Sequence, residues 1–117
     1  MPLIKVQTSA DCSDEAIKQK ITKELSKLTA DCLGKPEMYV SAMLIDDATI
    51  TFGGEIVPGA FVEVKSIGGL TSEVNNSLSK SISECITENM EIEAAHIYIN
   101  FVDVPASDWG WQGSTFG

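Results

Sequence analysis

The apolar alternation begins at the second residue, and Leu3–Thr8 reads as a short strand that ties the start of the chain into a sheet. The period then lengthens. Ser13 offers a helix N-cap, with Asp14 and Glu15 in the first turn, where the helix dipole favours anions. Ile17, Ile21, Leu25, Leu28 and Cys32 recur at helical spacing as one apolar stripe, with lysines on the other faces. Gly34 is a left-handed stop and Pro36 blocks continuation. Met38–Ile45 is the second strand, and Thr49–Phe52 a short third ended by Gly53-Gly54.

The pattern then repeats. Ala60–Ile67 alternates as a strand, Gly68-Gly69 turns the chain, and Thr71 or Ser72 caps a second helix. That helix carries Val74, Leu78, Ile82, Cys85 and Ile86, and His96–Val104 is the last long strand. Ile17, Ile21, Leu25 and Leu28 map onto Val74, Leu78, Ile82 and Cys85 at a constant offset of 57, and Ile4 and Val6 onto Val62 and Val64 at 58. Such regularity predicts an α/β fold of two pseudo-symmetric βαβ units, residues 1–117 forming a single domain with one sheet and two helices on one face. The strands that begin at Met38 and His96 carry apolar groups on both faces. A sheet face without helices then needs cover from neighbouring copies, so a homo-oligomer is expected.

Composition narrows the classes. Of 117 residues, 44% are hydrophobic and 21% charged, as in an ordinary soluble domain. No apolar run spans a bilayer and no leader precedes a cleavage site, so the default compartment is the cytoplasm; leaderless secretion leaves no mark in a sequence. Net charge is −9, and all eight basic residues are lysines. An acidic chain without arginine is a poor partner for nucleic acid or anionic membranes. Cys12, Cys32 and Cys85 form no CxxC and read as reduced thiols, the latter two as core residues. His96, the single histidine, has no ligand set around it, so neither a metal nor another cofactor is expected.

Pro2 carries the candidate chemistry. A small second residue lets the initiator methionine be trimmed, and the chain would then begin with a secondary amine. Met-Pro openings are also common and usually mean nothing.

Six segments tip that balance. Pro2, Gly34-Lys35-Pro36-Glu37-Met38-Tyr39, Phe52-Gly53-Gly54, Lys65-Ser66-Ile67-Gly68, Tyr98–Asp103 and Gly110-Trp111-Gln112-Gly113-Ser114-Thr115-Phe116 stand in the order and spacing of one family. Across essentially its whole length the chain resembles the macrophage migration inhibitory factor family of the tautomerase superfamily. The resemblance implies a homotrimer with active sites between subunits and an N-terminal proline, here Pro2, as catalytic base. It implies that Lys35 binds a substrate carboxylate, that Ser66 and the backbone amide of Ile67 meet the substrate, and that Tyr98 and Asn100 arrive from the neighbouring subunit. Trp111 and Phe116 would dry the pocket, and Trp109, where the family usually has valine, would narrow its mouth. Read without the resemblance, Lys35 is a solvated lysine past a helix end, Ile67 a core residue, Tyr98 and Asn100 a structural pair, and the tail aromatics an anchor for the C-terminus.

The implied chemistry is physically coherent. An ordinary α-amine titrates near ~7.7–8.0 and is mostly protonated at neutral pH. Apolar surroundings and a nearby lysine both disfavour the cation and lower that value toward the range a general base needs. Leu3, Ile67, Trp111 and Phe116 are candidates for the apolar wall, and Lys35 for the charge. The reading is a tautomerase of small 2-oxo acids or their enols, phenylpyruvate-like or dopachrome-like. The alternative is a cytokine-like signalling or binding protein with weak or vestigial activity. Decarboxylation or dehalogenation ranks lower, since family examples use arginines that this chain lacks. Gly59 and Val62 stand where vertebrate members have a CxxC pair, which argues against a thiol-oxidoreductase role.

Overall fold

A computed structural model describes residues 1–117. Its elements run β1 (Pro2–Thr8), α1 (Glu15–Leu33), β2 (Ser41–Ile45), β3 (Thr51–Phe52), β4 (Glu55–Ile56), β5 (Ala60–Ser66), α2 (Ser72–Met90) and β6 (Ile97–Asp103). A closing hairpin follows, of β7 (Gly110–Trp111) and β8 (Ser114–Thr115). The main sheet has the order β2-β1-β5-β6. Parallel pairs β1/β2 and β5/β6 flank an antiparallel centre in which Pro2–Thr8 lie against Ser66–Ala60. These are the two predicted βαβ units, and their antiparallel junction crosses the repeat, setting Ile4 opposite Val64 and Val6 opposite Val62.

Both helices lie on one face. Ile4, Val6, Val62 and Val64 point toward them and, with Ile21, Leu25, Leu78 and Ile82, are fully buried in one core. The helix ends follow local chemistry, with small shifts from expectation. Asp14, not Ser13, caps α1, its carboxylate accepting from the amides of Ala16 at 3.0 Å and Ile17 at 3.4 Å. Thr71 caps α2 through the amide of Val74 at 3.1 Å. Gly34 ends α1 in the left-handed region at φ 65°. At the end of α2 that conformation falls to Glu91 at φ 55°, a strained choice held by the fully buried Ile92 that follows.

Two predicted strands begin late. Glu37–Tyr39 and Ala94–His96 form 3-10 turns, in which Pro36 and Glu93 carbonyls accept the amides of Tyr39 and His96. The strands proper start at Ser41 and Ile97. Ile17 heads the α1 stripe but is 47% exposed. Cys85 is buried as expected, Cys32 only half-buried, and Cys12 is buried as well; all three are free thiols. Gly59 lies against Phe52 and the His96 carbonyl so closely that a Cβ would fall 2.8 Å from the Phe52 ring, so any side chain there would force that ring to shift.

The helix-free face is less apolar than predicted. Met43, Ile45, Phe61, Tyr98 and Val102 are exposed on it, but Lys5 and Glu63 meet at its centre in an ion pair of 3.3 Å. No helix is long and apolar enough to cross a membrane.

Candidate active site

β1 carries Pro2 to one end of the sheet as a buried residue in register with Ser66 of β5. Proline has no amide hydrogen to give the ladder, so a strand's first position suits it. Beside it lies a cavity of about 360 Å³, lined by Met1, Pro2, Met38, Tyr39, Val40, Ser41, Trp109 and Trp111. Six of those eight residues are hydrophobic, so the cavity offers an apolar ligand body a place to sit.

Its aromatic wall comes from two segments. The turn Glu37–Tyr39 presents Tyr39, and the β7/β8 hairpin presents Trp111. The hairpin turns through Gln112 at φ 51° and Gly113 at φ 86°, the two positive values of a tight two-residue loop. That geometry returns the chain so that Phe116 stacks on Trp111, ring centroids 5.9 Å apart, while Tyr39 meets Trp111 edge-on at 6.3 Å.

Lys35 follows the helix stop at Gly34. Its Nζ donates to the carbonyl of Ile67 at 2.8 Å, reaching over Gly69 so closely that a Cβ there would lie 3.1 Å from Lys35 Cε. Ser66 is fully buried and donates its hydroxyl to the Gly68 carbonyl at 2.7 Å. Met1 still precedes Pro2 here, so the free amine belongs to Met1 and the proline nitrogen is an amide. Partial burial, and then the Lys35 charge, hold that amine below the ordinary α-amino range. The same surroundings would bear on a proline nitrogen one residue inward.

Thus Pro2, Lys35, Ser66, Ile67, Trp109, Trp111 and Phe116 gather at one end of the sheet. Tyr98 and Asn100 do not. In register, Asp103 lies beside Ser66, which places Tyr98 five residues, about 16 Å, along β6. Tyr98 is 66% exposed and packs on the Phe52 ring at 5.0 Å, and Asn100 is exposed on the same helix-free face. Neither can reach Pro2 of its own chain.

Two further differences stand out. Of the four predicted wall residues only Trp111 lines the cavity; Leu3, Ile67 and Phe116 do not, and Met38, Tyr39 and Val40 complete that wall. The apolar run Met38-Tyr39-Val40 is the only signal of this in the sequence, and it reads equally as strand. The largest cavity, about 770 Å³, lies at the opposite end of the sheet among Ser9–Asp14, Ile56–Pro58 and Glu88–Glu91. Four carboxylates and no cation line it, so it cannot serve an anionic substrate; volume alone does not mark the chemistry.

The profile of the family described as macrophage migration inhibitory factor matches residues 1–117. A macrophage migration inhibitory factor homolog of Trichuris trichiura is 40% identical over 116 residues, covering 99% of this chain and 100% of that protein. The macrophage migration inhibitory factor of Xenopus tropicalis is 35% identical, covering 99% of each. Among solved structures, the homologue from Prochlorococcus marinus superposes with a TM-score of 0.92 at 43% identity, covering 98% of this chain and 99% of that one.

Proposed function

This chain belongs to the macrophage migration inhibitory factor family, and on that premise we propose that it is a keto–enol tautomerase of small 2-oxo acids, phenylpyruvate-like or dopachrome-like. In this reading Met1 is removed and the Pro2 nitrogen takes a proton from carbon and returns it to the neighbouring position. One observation carries the reading: Pro2 borders an apolar, aromatic-walled cavity while a cation, Lys35, is held within reach of the same strand end. A neutral secondary amine is a base; a protonated one is not. Burial and Lys35 favour the neutral form, and Lys35 also attracts the substrate carboxylate.

The remaining assignments rest on the family membership and are placed here as part of the same reading. Ser66 and the Ile67 amide stand at the strand end where a polar substrate head would sit. Trp111, backed by the stacked Phe116, packs against the apolar body, and Trp109 limits its width. Tyr98 and Asn100, too far from their own Pro2, complete the site of a neighbouring subunit in a homotrimer. That arrangement would also cover the exposed apolar side chains of the helix-free face.

The direct test follows the enol of phenylpyruvate spectrophotometrically, with wild type and Pro2→Gly. General acid–base catalysis by one positioned group contributes about 10²–10⁴-fold, so the variant should lose at least about 100-fold. Equal rates would refute the catalytic role and leave the cytokine-like binding reading in its place.

A further inference from the structure

Asp103 ends β6 in a row that runs Pro2, Ser66, Asp103 across three strands. It belongs to none of the ion pairs. Its Oδ1 instead accepts the amide of Gly68 at 3.0 Å, 35 residues away in sequence. Ser66 donates to the carbonyl of the same Gly68 at 2.7 Å. The amide of Val104, next after Asp103, donates to the Ser66 carbonyl at 2.9 Å. Gly68 is therefore held through both its backbone groups, by two side chains on adjacent strands.

That turn needs holding. Gly68 and Gly69 adopt φ of 71° and 80°, and two consecutive glycines are the loosest backbone a turn can have. The consequence lies one residue earlier, where the Ile67 carbonyl accepts the Lys35 ammonium at 2.8 Å. Lys35 has no carboxylate partner, so this carbonyl is what places its charge.

We propose that Asp103 is a positioning residue: it clamps the Ile67–Gly69 turn so that the Ile67 carbonyl holds Lys35 beside the Pro2 pocket. The clamp rests on the tautomerase reading only for its effect on catalysis; its effect on Lys35 stands apart. Two roles for Asp103 have opposite signs. As a bare negative charge, about 10 Å from Pro2 across two strand spacings, it would favour a protonated amine, and removing it would lower the amine pKa. As a clamp, its loss frees Lys35 into water, relieves the amine of a like charge and raises the pKa. Tyr39 in the wall and Lys35 flank that amine, and Lys65 of β5 lies one register position away, opposite Leu3.

The experiment compares wild type, Asp103→Asn and Asp103→Ala by two readouts: the ¹⁵N signal of the Lys35 side-chain ammonium, and the pH profile of kcat/KM for the phenylpyruvate enol. Asparagine keeps an acceptor oxygen and should retain the slowly exchanging Lys35 signal and a near wild-type KM. Alanine should lose the signal, raise KM about tenfold and move the acidic limb of kcat/KM upward. Ser66→Ala, which releases the other side of the clamp, should free the Lys35 signal too and serves if Asp103→Ala does not fold. An unchanged Lys35 signal in folded Asp103→Ala, or a limb that moves down in both Asp103 variants, overturns the proposal. If Asp103→Ala frees Lys35 while Pro2→Gly leaves the rate intact, the clamp is supported and the catalytic reading is the one that fails.

Discussion

Lys35 joins the first half of the chain to the second by a single hydrogen bond to the Ile67 carbonyl, and that bond was illegible in the sequence. A lysine after a helix stop is ordinary, and nothing in its neighbours names a partner 32 residues away. Pro2 was legible because a strand pattern began on it. Tyr39 is not legible as a wall residue, since Met38–Ile45 reads as one apolar run; Pro36 instead starts a 3-10 turn that swings Tyr39 into the pocket wall. Trp109 lines that pocket with a bulky indole. Trp109→Val should therefore raise kcat/KM for phenylpyruvate relative to a smaller 2-oxo acid by roughly tenfold, the scale of an apolar pocket contact. The ratio of the two substrates in wild type and variant checks this, and an unchanged ratio would show that Trp109 does not limit access.

Among the elements, the repeat was the strongest signal. Matched stripes at a constant offset named both helices, their buried faces and the strands beneath them; most of those residues form the core, with Leu28 and Val74 packed at its edge and Ile17 exposed. Of the two-residue strands, β3 lies within the predicted Thr49–Phe52, whereas β4, β7 and β8 are too short for any period to show. The β7/β8 hairpin is written only in Gln112-Gly113, yet it delivers Trp111 and Phe116 to the site. Between the helices, burial and then the Glu24 carboxylate raise the Cys85 thiol to about 12. An unfolded thiol ionises near ~8.5, so the folded state holds the extra proton between those values. The contribution is fully present below the unfolded value and is lost as pH rises through the folded one. Denaturation midpoints of wild type should fall more steeply above pH ~9 than those of Cys85→Ala, whereas parallel curves would show that Cys85 titrates normally.

At the scale of the whole molecule, one chain holds Pro2, Lys35 and the aromatic wall at one end of its sheet and Tyr98 with Asn100 far along β6. Charge and composition said little about this division; only the register of β5 and β6 makes it plain. If sites form between subunits of a homotrimer, Pro2→Gly chains and Tyr98→Ala/Asn100→Ala chains should each be weak alone. Refolded together they should recover about a quarter of wild-type activity, because in random trimers one site in four pairs an intact Pro2 with an intact Tyr98 neighbour. No recovery in mixed trimers would place each site within one chain. All of these contacts converge on a single nitrogen at the start of β1, and its basicity is the central claim. The most direct measurement is an NMR titration of ¹⁵N-proline-labelled protein, following the Pro2 nitrogen with pH. The expected result is a free secondary amine titrating below the ordinary ~7.7–8.0 range of an α-amine. A nitrogen that does not titrate because Met1 remains attached, or one that titrates at or above that range, would contradict it.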